Sequence, residues 1–377
     1  MSLVVREASF PADADAMQSV WSWVYSLRAP TEPLDPPAEG EKWYIGLDEG
    51  TPAVACKVHG YAVARGEADL SCGGVASVAT LSEHRQKGHG TRFMDEVLAL
   101  MRAHGHVISS LYAFRDPFYA RSGYGTCGWR WKIVCPAHRM PKTKCDLLVR
   151  QVMPAEVECL SGALTKFVRG FSGSVVRTPN QWQNRLGTKP PLIYAVGDPI
   201  EAYAWVRITD FWGNVDVGEL VWTTPRGYDA ILAVVRGIGH NQKTFTFMEP
   251  PDSRFLAAHF DQGVEMSLYR QTMHRVLDVP KALQALRPTT SGEFTIGIKD
   301  AQMPDNDGPW KVIFEPGKVQ VEKSNNTGIN LHIGAFSQAL MGSPSLSELA
   351  KKGLATGDTK EAEKLLTPMP VCCMEFF

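Results

Sequence analysis

Along the first 135 residues, apolar positions gather in short runs at 43–47, 53–64 and 73–81, a spacing that predicts β-strands. A polar stretch follows at 82–89. The period then changes. Phe93, Met94, Val97, Leu98 and Met101 recur at helical spacing, which predicts a helix from about Gly90 with one apolar face. Arg102 and His104 in the last turn, then Gly105, mark its end. Next come a strand at 107–114, a short helix opened by Asp116-Pro117 that carries Phe118 and Tyr119 and stops at Gly123, and a strand at 124–134.

A proline-containing, basic linker at 136–144 leads into a second strand–break–helix pattern. A helix is predicted around 155–168, strands at 193–196, 202–210 and 218–222, and a helix at 228–235. The break here, Thr223-Thr224-Pro225, has neither glycine nor basic residues, so this segment reads as an altered copy of the first. From about 276, runs at 292–299, 310–315, 319–321 and 329–333 predict a meander, followed by helices at 335–340, 346–351 and 361–365. The apolar tail at 370–377 is expected to be buried. A length of 377 residues allows two or three domains, and the pattern divides it at 1–140, 141–278 and 279–377.

Composition narrows the class. With 44% hydrophobic and 21% charged residues the chain is globular. The 39 Lys+Arg and 40 Asp+Glu nearly cancel, leaving −1, which argues against a nucleic-acid or membrane-surface protein. No apolar run approaches the ~20 residues needed to span a bilayer, and residues 1–11 do not read as a signal peptide. Eight scattered cysteines without a C-x-x-C pair fit a reduced, cytoplasmic protein. No metal-ligand cluster or serine-nucleophile motif stands in the sequence, so no metal is expected.

The chemistry concentrates at 74–125. A strand ending Ser77-Val78-Ala79-Thr80-Leu81 runs into Arg85-Gln86-Lys87-Gly88-His89-Gly90-Thr91 and a helix. Glycines at 88 and 90 let a ligand approach the backbone, free amides point outward at the helix start, and Arg85 and Lys87 add positive charge. Such a turn suits a pyrophosphate. It is neither a nucleotide P-loop nor a dinucleotide fingerprint.

On this strand–turn–helix the chain resembles the GNAT acetyltransferase superfamily. Ser77-Val78-Ala79-Thr80, His84-Arg85, the run from Phe118 to Gly125 and the stretch from Ala335 to Gly342 are similar to the Eis (enhanced intracellular survival) family. That resemblance implies an α/β (α+β) fold: tandem GNAT domains, the second degenerate, then a sterol-carrier-protein-like α+β domain. It implies acetyl-CoA as co-substrate, with backbone groups of Val78, Ala79 and Thr80 on the pantetheine arm. Amides from Gln86 to Thr91, with Arg85, Lys87, Gly88, His89 and Gly90, would hold the pyrophosphate, and Phe114 and Arg115 would lie along the cofactor. Tyr119 would be the general acid. The carboxylate of Phe377 would reach the active site and help to take a proton from the amine.

Simple chemistry limits both roles. A tyrosine near pKa ~10 gives its proton to a thiolate (thiol ~8.5) slightly uphill, so placement matters most. A carboxyl near ~3.5 is a weak base, which favours electrostatics plus water for Phe377. The expected reaction is direct attack of a small molecule's primary amine, aminoglycoside-like or another polyamine, on the thioester. Trp21 and Trp23 are candidates to line the acceptor pocket, and Glu32 and Asp35 to attract a cation. The alternatives are a protein or peptide lysine acetyltransferase, and a non-catalytic lipid- or small-molecule-binding protein with a relic acetyltransferase domain. The resemblance also implies a homo-oligomer, a hexamer.

Overall fold

The computed structural model describes residues 3–30, 33–208 and 212–375. The alternating N-terminal segments become strands because each lays one face against a helix. β1 (Leu3–Glu7), β2 (Glu41–Asp48), β3 (Thr51–Arg65) and β4 (Ala68–Thr80) pair antiparallel in that order, with α1 (Ala14–Trp21) between β1 and β2. α2 (His89–Ala103) carries the chain back, so that β5 (Ile108–Leu111) joins β4 in parallel. The expected stripe on α2 is fully buried: Phe93, Met94, Val97, Leu98 and Met101 are each 0% exposed and pack with Tyr44, Val54, Cys56 and Val58. Burying one such side chain gives roughly 1.5–3 kcal/mol. Helix propensities differ by less than about 0.7 kcal/mol among ordinary residues, so packing fixes this helix. α3 (Asp116–Ala120) and β6 (Gly125–Pro136) follow.

The middle of the chain repeats the plan. β7 (Val149–Gln151), α4 (Ser161–Val168), β8 (Ser172–Val175), α5 (Pro179–Leu186), β9 (Leu192–Val196), β10 (Ala202–Ile208) and β11 (Asn214–Trp222) lead to α6 (Pro225–Ile238) and β12 (Thr244–Glu249). β11 and β12 are parallel and joined by a helix, as β4 and β5 are. The helix expected over 155–168 is split: Pro154–Leu160 winds as 3-10 before α4 begins.

After α7 (Arg254–Ala258), β13 (Glu265–Val276) crosses back and lies between β5 and β6, while β6 pairs with β12. The halves thus interlock in one thirteen-stranded sheet among the described residues. The hydrophobic pattern assigns no strand to 265–276. Polar residues occupy core positions there: His274 and Arg275 are 1% and 0% exposed, and Arg275 is neutralised by Asp300 at 2.6 Å.

After α8 (Val279–Gln284), a second sheet is built from β14 (Gly292–Lys299), β15 (Gly308–Glu315), β16 (Lys318–Lys323), β17 (Ile329–His332) and β18 (Ala355–Thr356), in the order β16-β15-β14-β17-β18. α9 (Ile333–Met341) packs on β6 and β13. Its Gln338 donates to the Thr126 carbonyl at 2.7 Å, and its Ser337 hydroxyl accepts from Val276 N–H at 2.9 Å. The apolar interior, including Ile296, Phe314, Phe336 and Leu340, is spent on this packing. The tail is buried, as its composition suggests, from Val371 to Glu375. It runs beside β8, with Cys372 N–H on the Ser172 carbonyl at 2.8 Å. All eight cysteines are free thiols, and no helix among the described residues is long and apolar enough to cross a membrane.

Candidate active site

β5 is shorter than expected, and its early end creates the site. It stops at Leu111, opposite Val75, while β4 continues to Thr80. Residues 76–80 therefore have no strand beside them on that side, and a wedge opens between the two strands. A register shift against β3 bulges β4 and puts Ser77 at φ +52°, a left-handed conformation that costs a non-glycine residue of order 1 kcal/mol or more. Trp21 Nε1 holds the Ser77 carbonyl at 2.8 Å, and the Tyr25 hydroxyl holds that of Val78 at 2.9 Å. Ala79 turns its side chain into the core with α1.

The turn after β4 has the predicted character. Gln86 and Gly88 take positive φ (+60° and +79°), and α2 starts at His89 with no side chain capping it. Its first amides are left available to an anion. No atom lies within 4 Å of where a Gly88 Cβ would stand, whereas a Gly90 Cβ would meet the Phe118 ring at 3.1 Å. Gly90 thus lets α3 close on the turn. Arg85 Nε bonds the Thr80 carbonyl at 3.0 Å, and Lys87 Nζ lies 3.7 Å from Asp48. Gln86 and Gly88 are exposed and Thr91 half-buried, but the His89 side chain faces inward.

α3 places Tyr119 beside this turn. Its ring is 3% exposed, held by Phe118, Phe114 and Tyr124 at 4.9, 5.6 and 5.9 Å between centroids. Burial raises the phenol's pKa above its ordinary value, and Tyr25 and Cys56 add to this, so the hydroxyl keeps its proton at neutral pH. Phe114 is 74% exposed at the mouth of the wedge, and Arg115 is exposed at the N-cap of α3.

A line of contacts leads from the bulge across the sheet face opposite α2. Trp21 meets Trp43 edge-on at 5.5 Å, Lys57 lies over both rings, and Glu41 accepts from Trp43 and sits 3.1 Å from His59. His59 stacks on Tyr61 at 6.0 Å. There a cleft of ≈330 Å³ opens, lined by three carboxylates, Glu39, Glu41 and Glu375, against one guanidinium, Arg185. Burial works to raise the Glu41 carboxyl, but bonds from His59 and Trp43 and the charge of Lys57 outweigh it and hold it at about 2. Glu375 is fixed from behind by Arg177, which donates to it at 2.5 Å and to buried Glu219 at 2.6 and 2.9 Å while stacking on Trp182 at 4.5 Å. The Glu375 carbonyl accepts from Tyr112, one residue past β5, which ties cleft and wedge together.

The structure gathers Val78, Ala79, Thr80, the 85–91 turn, Phe114, Arg115 and Tyr119 around the wedge. Trp21 braces the bulge, while Trp23 is half exposed. Asp35 is exposed and does not line the cleft; Glu32 and Phe377 lie outside the described residues. Glu39, Glu41 and Glu375 come from distant segments, and no local motif marks them. In the second copy, Thr224 Oγ1 caps α6 by accepting from Gly227 N–H at 3.0 Å, and Glu201 pairs with Arg226. The helix start that would meet a cofactor is satisfied internally there.

A parallel strand pair splayed by a bulge, with an uncapped helix turn at its mouth, defines the class. The sequence matches the models of the Acetyltransferase (GNAT) domain over residues 5–127 and of the Sterol carrier protein domain over 279–374. An uncharacterized N-acetyltransferase of Streptomyces avermitilis is 26% identical over 329 residues, covering 76% of this chain and 75% of that protein. A GCN5-related N-acetyltransferase from Anabaena variabilis shares the fold over 100% of both chains, with a TM-score of 0.88 at 16% identity. Eis1 of Mycobacterium abscessus shares it over 99% and 100%, with a TM-score of 0.81 at 18% identity. The chain carries a GNAT acetyltransferase domain at residues 5–127, and it is similar to proteins named N-acetyltransferases. It also carries a sterol-carrier-protein domain at 279–374, and its overall fold, two copies of one plan followed by that domain, is shared with Eis1.

Proposed function

We propose that the protein transfers acetyl from acetyl-CoA to a primary amine of a cationic small molecule, a polyamine or aminoglycoside-like compound. The carrying observation is a cleft lined by Glu39, Glu41 and Glu375 and tied to the wedge through the Tyr112–Glu375 hydrogen bond, with Glu41 held ionised at all physiological pH. A polycation seated there gains Coulomb attraction that a neutral acceptor lacks.

The wedge fits the co-substrate. The strand edge at 76–80 and the exposed Phe114 offer a backbone-and-ring surface for an extended arm, and the α2 turn offers amides for a diphosphate. The bound thioester supplies the electrophilic acetyl group, and the chain's residues place and protonate. Two of the expected carbonyls already have partners, Val78 with Tyr25 and Thr80 with Arg85, so they hold the strand in shape as well as facing the arm. Tyr119, wedged between aromatic rings beside the turn, is the acid for the departing thiolate; burial makes its phenol a weaker acid than a free tyrosine, so the role rests on its placement. Phe377 is assigned the companion role, its carboxylate drawing the ammonium and ordering water. The course of 371–375 towards Tyr112 supports that placement. We assign the three sequence segments, 1–140, 141–278 and 279–377, as the domains, and a homo-oligomer, a hexamer, as the assembly, supported by exposed Trp129, Leu268 and Tyr269 on neighbouring strands.

The test is release of free CoA thiol from acetyl-CoA with a panel of polyamines, aminoglycosides, neutral amines and a lysine peptide. Cationic polyamines should give the highest kcat/KM. Equal rates with neutral amines would refute the cleft's role. No acetyl-CoA binding and no CoA release with any acceptor would refute the reading altogether.

A further inference from the structure

Beside the cofactor turn lies a cluster the reaction does not use. Asp48 ends β2, His84 closes the short 3-10 turn Ser82–His84, and His89 opens α2. Asp48 Oδ2 is 3.0 Å from His84 Nδ1 and 3.0 Å from His89 Nε2, and the three donor atoms lie within 4.8 Å of one another. Asp48 is 7% and His89 5% exposed.

Hydrogen bonding leaves this cluster incomplete. His84 bonds Oδ2, but Oδ1 of the buried carboxylate has no partner among the described residues. His89 Nε2 lies in ion-pair contact with Oδ2 at 3.0 Å and makes no well-formed hydrogen bond, although it is buried. Buried polar atoms in folded proteins are nearly always satisfied. Here two imidazole nitrogens and a carboxylate converge, and the unsatisfied atoms belong to the same cluster.

We propose that Asp48, His84 and His89 form a divalent transition-metal site of the zinc class. Bonds of about 2.0–2.2 Å in a tetrahedron separate donor atoms by about 3.3–3.6 Å, so the two 3.0 Å nitrogen–oxygen spacings widen slightly and the two imidazole nitrogens, now within 4.8 Å, settle to that same separation. Two nitrogens and one oxygen select zinc, cobalt or nickel over magnesium or calcium. The fourth position goes to water. The ion clamps both ends of the 84–89 turn to the end of β2 and so orders the turn assigned to the diphosphate. It also repels Lys87, whose Nζ now lies 3.7 Å from the same carboxylate oxygen, and frees that ammonium for an anion.

The experiment is a titration of chelator-treated full-length protein with Zn²⁺ against a chromophoric chelator, in parallel with Co²⁺ followed by its visible spectrum. One equivalent should bind. Asp48→Asn, His84→Gln and His89→Gln should each weaken it at least about tenfold, and Cys159→Ser should leave it unchanged. Cobalt should show tetrahedral bands without a thiolate charge-transfer band, a readout that needs no variant to fold. Wild type binding no more tightly than His84→Gln, a thiolate band, or equal competition by Mg²⁺ would each overturn the proposal.

Discussion

Replacing Arg177 with methionine removes the cation between two carboxylates from distant parts of the chain. The Arg177 side chain is 1% exposed, Glu219 0% and Glu375 10%, with contacts of 2.5–2.9 Å, so water screens little of the interaction. Burial alone would lower the guanidinium's pKa, yet the two carboxylates outweigh it and keep Arg177 charged. Breaking a buried pair by removing one partner costs about 3–5 kcal/mol, because the remaining charge stays buried. At roughly 2–4 °C per kcal/mol, the melting temperature should fall by roughly 6–20 °C, read by calorimetry at pH 7. Adding Glu219→Gln removes the orphaned charge and should recover at least half of that loss. Kinetics should separate the roles: KM for the amine rises as Glu375 loosens, while KM for acetyl-CoA holds. A fall below about 2 °C, or a double variant no more stable than the single one, would refute the reasoning.

Tyr119→Phe should lower kcat about 100-fold, the scale of a lost general acid, with acetyl-CoA affinity near wild type by calorimetric titration; unchanged turnover rules out the acid role. Gly88→Val forces a β-branched residue to φ +79° and should raise KM for acetyl-CoA well above any effect on kcat; an unchanged KM means the turn does not hold the diphosphate. Burial holds the His274 imidazole at about 4 against an ordinary 6.5, so its contribution to stability is complete above pH 6.5 and is lost as pH falls towards 4. That is about 3 kcal/mol of lost stability, measured by denaturation across the range, and His274→Gln should flatten the slope.

Local periodicity and turn chemistry made α2, the glycine turn and the strands around them legible, because a helix stripe and a left-handed glycine depend on neighbours a few residues away. The short helix with Tyr119 was legible for the same reason. β13 was not, since His274 and Arg275 stand at its core positions and only a long-range partner, Asp300, makes that tolerable. The acid cleft was not legible either: Glu39 and Glu41 look like surface residues of a loop and strand, and Asp35, a nearer-looking candidate, does not line it. The meeting of Asp48, His84 and His89 was not legible, because Asp48 stands 36 residues before His84.

Residues adjacent along the chain encode the strand–glycine turn–helix at 74–103, the altered second copy and the buried tail. The tertiary structure decided the rest. It ended β5 at Leu111 and so opened the wedge, exchanged β6 and β13 between the halves, and carried Glu375 from the end of the chain to a cleft beside Glu41. It also brought Asp48 between two histidines. The physical reason is the same throughout: a charge or a strand edge acquires its partner through burial and closure over tens to hundreds of residues, and no local pattern encodes which distant group will arrive.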